Sequence, residues 1–453
     1  MADINTINKD FADLFNQGKQ LLMEGSSEIM NENRSKAFQD FERLGVPTRA
    51  NENYKYTNLI PAFDHPYNVN LRYLKVDVDL NEIFQCDVPE LDTNMVLLTN
   101  GWFYGNNKQL LELPKGVIVC GVQEAAQKYP EIFNAHYGKY AKPGEDGIVA
   151  LNTALAKDGL FIYVPKGVVV EKPIQVVNLL RSDRDLLATQ RNLFVIEENA
   201  QAKIIVCDHT LTHHKYLSNS VTEINVAENA VFDLYTLQNQ HLNSVILNST
   251  FIRQDAHSNV LTNTISLYGG TIRNNHHVLL DAEYCENNTY GMYLMDHKQH
   301  VDNFTCIDHA KPNCVSNEHF KGVMDDEASG AFSGRINVRR DAQKTEAYQS
   351  NNNLLLSNEA LINTKPQLVI DADDVKCSHG ATVGQMDEDA LFYLRARGID
   401  EKEARQMLMF AFAHEIIEKI RVEALKERID ELVDKRLRGE ISKCNTCAVA
   451  CNH

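Results

Sequence analysis

Two stretches of the chain gather side chains that bind soft metals. The last ten residues, Cys444-Asn445-Thr446-Cys447-Ala448-Val449-Ala450-Cys451-Asn452-His453, have the spacing C-x2-C-x3-C-x-H. Three thiolates and an imidazole are the ligand types of zinc and of iron–sulfur clusters. The same composition also suits a flexible, oxidation-prone chain end. The second stretch, Val375 to Gly398, reads VKCSHGATVGQMDEDALFYLRARG. In an extended segment Cys377 and His379 lie on one face, about 7 Å apart along the strand. They can address one soft metal or cluster but leave it two ligands short. Further ligands must then come from elsewhere, another subunit included. A buried structural pair is the plain alternative.

Other clusters are weaker. His213-His214 and His276-His277 put neighbouring side chains on opposite faces of a strand, and His297 and His300 have opposite parity. Cys306 and His309 make the best local pair, yet two residues are not a metal site. Cys86, Cys120, Cys207, Cys285, Cys306 and Cys314 are scattered singly, as small buried hydrophobes are. Asp373 and Asp374 alternate faces, which argues against a paired-carboxylate glycosidase. No GxxxxGK[ST] motif occurs, so no nucleotide is expected on this chain. No nucleophile with a nearby base is evident, and the expectation is a protein that is not an enzyme.

Bulk properties narrow the partners. A net charge of −17 disfavours nucleic acid and anionic membrane, which need a Lys/Arg surface. No run of 18 apolar residues is present, so no membrane helix is expected. The N-terminus lacks a basic region followed by an apolar one, and the protein reads as cytoplasmic with reduced thiols.

The elements that must position these groups follow from periodicity. Ile4, Ile7, Phe11, Leu14 and Phe15, then Ala37, Phe38, Phe41 and Leu44, recur at helical spacing, with Gly45 as a C-cap. This predicts a helical domain over 1–60, its helices joined by the polar GSSEIMNEN region. From about Val69, short apolar runs are punctuated by Pro and Gly, and 123–140 reads as a helical insertion. Beyond Gln190 an acidic or polar residue followed by alanine recurs at 197–202, 227–232, 253–258, 280–285, 325–330 and 339–344. Small residues at regular corners suit a parallel β-helix, here over 61–385, in preference to a two-sheet sandwich. Asn274, Asn275, Asn287, Asn288, Asn351, Asn352 and Asn353 fit polar ladders along such a body. Asp387 is positioned to cap a helix that Gly398 closes, and Asp400 to cap the next. A helical domain over 386–443 carries the apolar stripe Ala404, Met407, Leu408, Ala411, Phe412, Ile416, Ile420, Leu425, Ile429, Leu432 and Val433, followed by the 444–453 tail.

Four segments carry a family resemblance: PTRANENYKYTNL (47–59), DGLFIYVPKGVVVEKPI (158–174), KCSHGATVGQMDEDALFYLRARGI (376–399) and FAFAHEIIEKI (410–420). Through them nearly the whole chain resembles the SufB/SufD family of iron–sulfur cluster assembly proteins, most closely its SufD members. SufD-like chains carry Cys-Ser-His in the third segment. SufB-like chains have a cysteine where Leu394 stands, and Tyr54 occupies a position where tryptophan is common. The resemblance implies a mainly β protein, with a right-handed parallel β-helix between helical N- and C-terminal domains. It further implies a scaffold subunit that pairs with SufB and docks the ATPase SufC on its C-terminal helices, with Phe392, Tyr393, Arg395, Met407 and Phe410 as candidate contacts. His379, with Cys377, would then serve a transient iron–sulfur cluster shared with SufB. A purely structural partner, with both residues inert, is the alternative; a β-helix carbohydrate-active enzyme is a more distant one.

Overall fold

The computed structural model of the protein describes residues 4–73, 92–105 and 111–439. The Cys444, Cys447, Cys451 and His453 cluster and Cys86 lie outside the described residues. The body is a parallel β-solenoid in which the chain alternates between two facing sheets. One sheet runs from Leu361–Ile370 back through Ser329–Val338, His300–His309, Thr271–Leu280, Ser244–Gln254, Tyr216–Val226, Leu186–Ile196 and Leu160–Val164 to Ile118–Gly121. The other runs from Lys376–Gly384 through Glu346–Leu355, Val315–Met324, Glu286–Met295, Asn259–Tyr268, Val231–Asn239, Gln201–Thr210 and Ile174–Leu180 to Asn94–Thr99 and Trp102–Phe103. Pairing is parallel except at the first coil, where Asn94–Thr99 meets Trp102–Phe103 and Ile118–Gly121 meets Leu160–Val164 antiparallel.

The corners explain the repeat. Asn199, Asn229, His257, Tyr284, Asn313 and Lys344 all have positive φ, a conformation that asparagine tolerates better than most residues. The next residue, Ala200, Ala230, Ser258, Cys285, Cys314 or Thr345, is buried. A small side chain is needed there because each corner stacks directly on the next. The alanines of 253–258 and 280–285 are therefore not the packed positions. Ala256 and Ala282 precede the positive-φ residue, and Ser258 and Cys285 fill the corner instead.

Asparagines bond from coil to coil within the strands, and at corners Asn243 donates to the His213 carbonyl (3.2 Å). Asn274 donates to Asn303 (2.9 Å), Asn317 to Asn288 (3.1 Å) and Asn352 to Thr382 (2.9 Å).

Helices cover both outer faces. Ile4–Met23 and Glu28–Leu44 pack Ile7, Phe11, Phe15 and Phe41 over Leu187, Leu217 and Leu247. The second helix starts inside the segment read as a polar joint, because Met30 and Arg34 are buried and draw that segment onto the core. Helices Val122–Lys128, Pro130–His136 and Gly147–Leu155 interrupt the first coil. Arg191 and Glu223, both buried, tie them down. Arg191 donates to Glu223 (2.7 Å) and Thr153 (2.8 Å). Glu223 also accepts the backbone N–H groups of Gly138, Tyr140 and Ala141.

The segment 47–59 is a second clamp. Buried Tyr54 donates to Asp146 (2.6 Å) beneath the Arg273 guanidinium, and Thr57 bonds Asp302 and His300.

At the other end Glu388–Ala396, Glu401–Ile417 and Glu423–Leu437 follow the last strand. Asp387 caps the first through Asp389 and Ala390, and Asp400 caps the second through Lys402 and Glu403. Met409, Ala413, Ile416 and Ile417 press on Tyr235, Leu261, Ile265 and Leu294. Arg436 fastens the last helix through the Leu267 carbonyl (2.9 Å) and Asp296. Among the described residues, no helix is long and apolar enough to cross a membrane.

Candidate functional site at the open end of the solenoid

Among the described residues the last coil has no successor. Leu361, Val369, Ile370 and Val383 are exposed there, and Lys376–Gly384 is the edge strand of its sheet. An edge strand with exposed apolar side chains is a template for pairing with another chain.

The Cys-Ser-His triplet lies in this edge strand. In parallel register Cys377 stands opposite Ala347, and His379 opposite Gln349. Ala347 and Gln349 are both buried, so Cys377 and His379 share the inward face. With no coil above it, His379 is exposed and Cys377 is half-buried. Cys377 packs with Ala347, Ala372, Leu368 and Val375, and this burial raises its thiol pKa. The pair can present one sulfur and one imidazole nitrogen toward whatever covers the open end. Among the described residues, no three or more His, Cys, Asp or Glu converge to hold a metal.

The other candidate ligands do not converge. His213 meets His241 (2.8 Å) while His214 turns to Asp185 (3.6 Å). His277 stacks on Phe251 and His276 faces Thr262; burial lowers the His276 imidazole to about 4. His297 sits beside Asp296, whereas His300 contacts Ser329. Cys306 touches Asn337 and His309 touches Ser316.

The docking candidates divide by exposure. Phe392 is 73% exposed, Tyr393 56% and Met407 46%. Tyr393 stacks under Arg397, and Arg395 pairs with Glu401 (3.3 Å). Phe410 is partly buried against the core. The apolar stripe is rotated from its sequence reading, with Met409 inward and Met407 outward.

One group escaped sequence reasoning. Glu318 is 2% exposed, and register places Glu318, Gln349 and His379 in one row on successive coils. Gln349 donates to Glu318 (2.7 Å), and Thr305 of the facing sheet donates to its other oxygen. Desolvation raises the Glu318 carboxyl to about 7. The signal was the coil period, since 318, 349 and 379 are spaced as successive coils are, but it is visible only once the register is known.

Comparison with known families gives a consistent result. Residues 179–412 match the family described as SUF system FeS cluster assembly, SufBD core domain, and residues 5–176 match the SufBD protein N-terminal region. An iron–sulfur cluster assembly SufBD family protein of Synechocystis is 30% identical over 430 residues, covering 92% of this chain and 94% of the relative. The iron–sulfur cluster assembly protein SufD of Escherichia coli is 29% identical over 407 residues, covering 88% and 92%. SufB of Bacillus subtilis is 26% identical over 342 residues, covering 75% and 72%.

Proposed function

The chain belongs to the SufB/SufD family of iron–sulfur cluster assembly proteins, and from that premise we propose that it is a SufD-type scaffold subunit rather than an enzyme. In this reading it works in the cytoplasm, pairs with a SufB-type chain through its uncapped last coil and carries a SufC-type ATPase on its C-terminal helices. The observation that carries the reading is the position of His379. Its strand is an unpaired edge, its side chain lies on the inward face, and exposed Leu361, Val369 and Val383 surround that end. A partner solenoid seated there would cover the apolar rim and bring its own ligands to His379 and Cys377. The nascent cluster is cargo, held only while the two chains share it. Exposed Phe392, Tyr393 and Met407 support helix-side docking of the ATPase, because large apolar groups of this kind anchor interfaces.

A structural role without ligation has one observation in its favour. Cys377 is packed among apolar neighbours, and burial raises its thiol pKa, which disfavours the reactive thiolate.

The test is anaerobic co-purification with SufB and SufC, counting iron and acid-labile sulfide for wild type, His379→Ala and a chain truncated after Lys443. Loss of iron and sulfide in His379→Ala, with the complex intact, is the expected result. Full clusters in that variant would leave the structural role standing. Loss only in the truncation would transfer the ligand role to Cys444, Cys447, Cys451 and His453.

A further inference from the structure

The imidazole of His379 projects from an edge strand, and among the described residues no coil lies above it to fix its orientation. Beneath it the lumen is built. Gln349, its register neighbour, is 3% exposed. The Gln349 amide nitrogen is turned back to Glu318 (2.7 Å), and Glu318 is gripped from the facing sheet by the Thr305 hydroxyl. The amide is planar, so engaging its nitrogen on the Glu318 side turns its oxygen away from Glu318. That oxygen, Gln349 Oε1, is buried and has no hydrogen-bond partner among the described residues. Space for this amide is reserved by Gly334, where a Cβ would lie 2.3 Å from Gln349 Nε2. Gly334 follows Thr305 in register on the facing sheet, so the side chain reaches across the lumen over a residue that has none of its own.

A buried acceptor without a donor, next in register to an imidazole, is half of a hydrogen bond. Histidines that ligate metals donate their second ring N–H to a fixed acceptor, which sets tautomer and ring orientation. We propose that Gln349 is the positioning residue for His379: its side-chain oxygen accepts one imidazole N–H, so that the other nitrogen's lone pair faces the open end. Glu318 and Thr305 hold the amide in that sense. The inference deepens the proposed function and rests on His379 serving as a ligand.

The tautomer of His379 is read from the ring nitrogen shifts of the full-length chain labelled with 15N-histidine, its signals assigned by their loss in His379→Ala. Wild type is expected to hold one tautomer. Gln349→Met, similar in volume without the oxygen, is expected to return His379 to the mixture of a free imidazole. In complexes with SufB and SufC, Gln349→Met should slow cluster formation by about tenfold, as loss of such a partner does elsewhere. Where the methionine variant does not fold, Gln349→Ala replaces it. An unchanged tautomer in a folded variant lacking the oxygen overturns the proposal, whatever the clusters do. Full clusters in His379→Ala would instead remove the ligand role, while the tautomer would still decide whether Gln349 positions the ring.

Discussion

Replacing Glu318 by glutamine removes a buried titration, and its size follows from the structure. The carboxyl is buried between Thr305 and Gln349, and desolvation raises it from 4.5 to about 7. A carboxyl raised on folding contributes stability that is fully present below its unfolded pKa and is lost as pH rises through its folded pKa. The window therefore runs upward from 4.5 to about 7. Linkage over those two values gives a loss of roughly 2–3 kcal/mol between about pH 5 and about pH 8, most of it before neutrality. Glu318→Gln has the same shape, no charge and no such titration. Chemical denaturation of both chains across this range reads the difference directly. Wild type should be the more stable at the acid end, and its advantage should shrink by roughly 2–3 kcal/mol on going alkaline. A difference independent of pH would refute the reasoning and mean that the lumen at Glu318 is wet enough to solvate the anion.

Two other perturbations test the frame around the site. Arg191→Met should destabilise the protein by about 3–5 kcal/mol, because Glu223 is left buried without its guanidinium. Adding Glu223→Gln should cost less than the sum of the two single changes, which denaturant unfolding of all three variants measures. Phe392→Asp changes an exposed position and should leave unfolding within about 0.5 kcal/mol. Calorimetric titration with SufC should nevertheless show affinity lower by more than about tenfold if Phe392 anchors the ATPase.

Much of the architecture was legible because the signals were local. Asp387 and Asp400 cap their helices, since an aspartate ahead of an apolar-periodic run has few better uses. The recurring corners announced a solenoid because every coil must turn in the same small space. Local reading went astray where a neighbouring coil decided the outcome. Ser258 and Cys285 took the corner places offered to Ala256 and Ala282, since at these corners the place after the positive-φ residue is the one that stacks. The polar 25–33 segment became largely helix because Met30 and Arg34 found a core to enter. Met407 and Met409 exchanged roles because the solenoid surface, not helical periodicity, set the rotation of Glu401–Ile417.

The sequence by itself determined the class of the fold, the order of its parts, the family, and the Cys377–His379 pair on one face of a strand. Each of these depends on residue types within a few positions of one another, or on a motif long enough to be specific. The tertiary structure alone decided that Lys376–Gly384 is the edge strand of its sheet, that Arg191 meets Glu223, and that Glu318 and Gln349 stand in line behind His379. Those contacts join residues about one coil apart. Their register is set by the stacking of whole coils, and a shift of one residue would have turned each of these side chains to the opposite face.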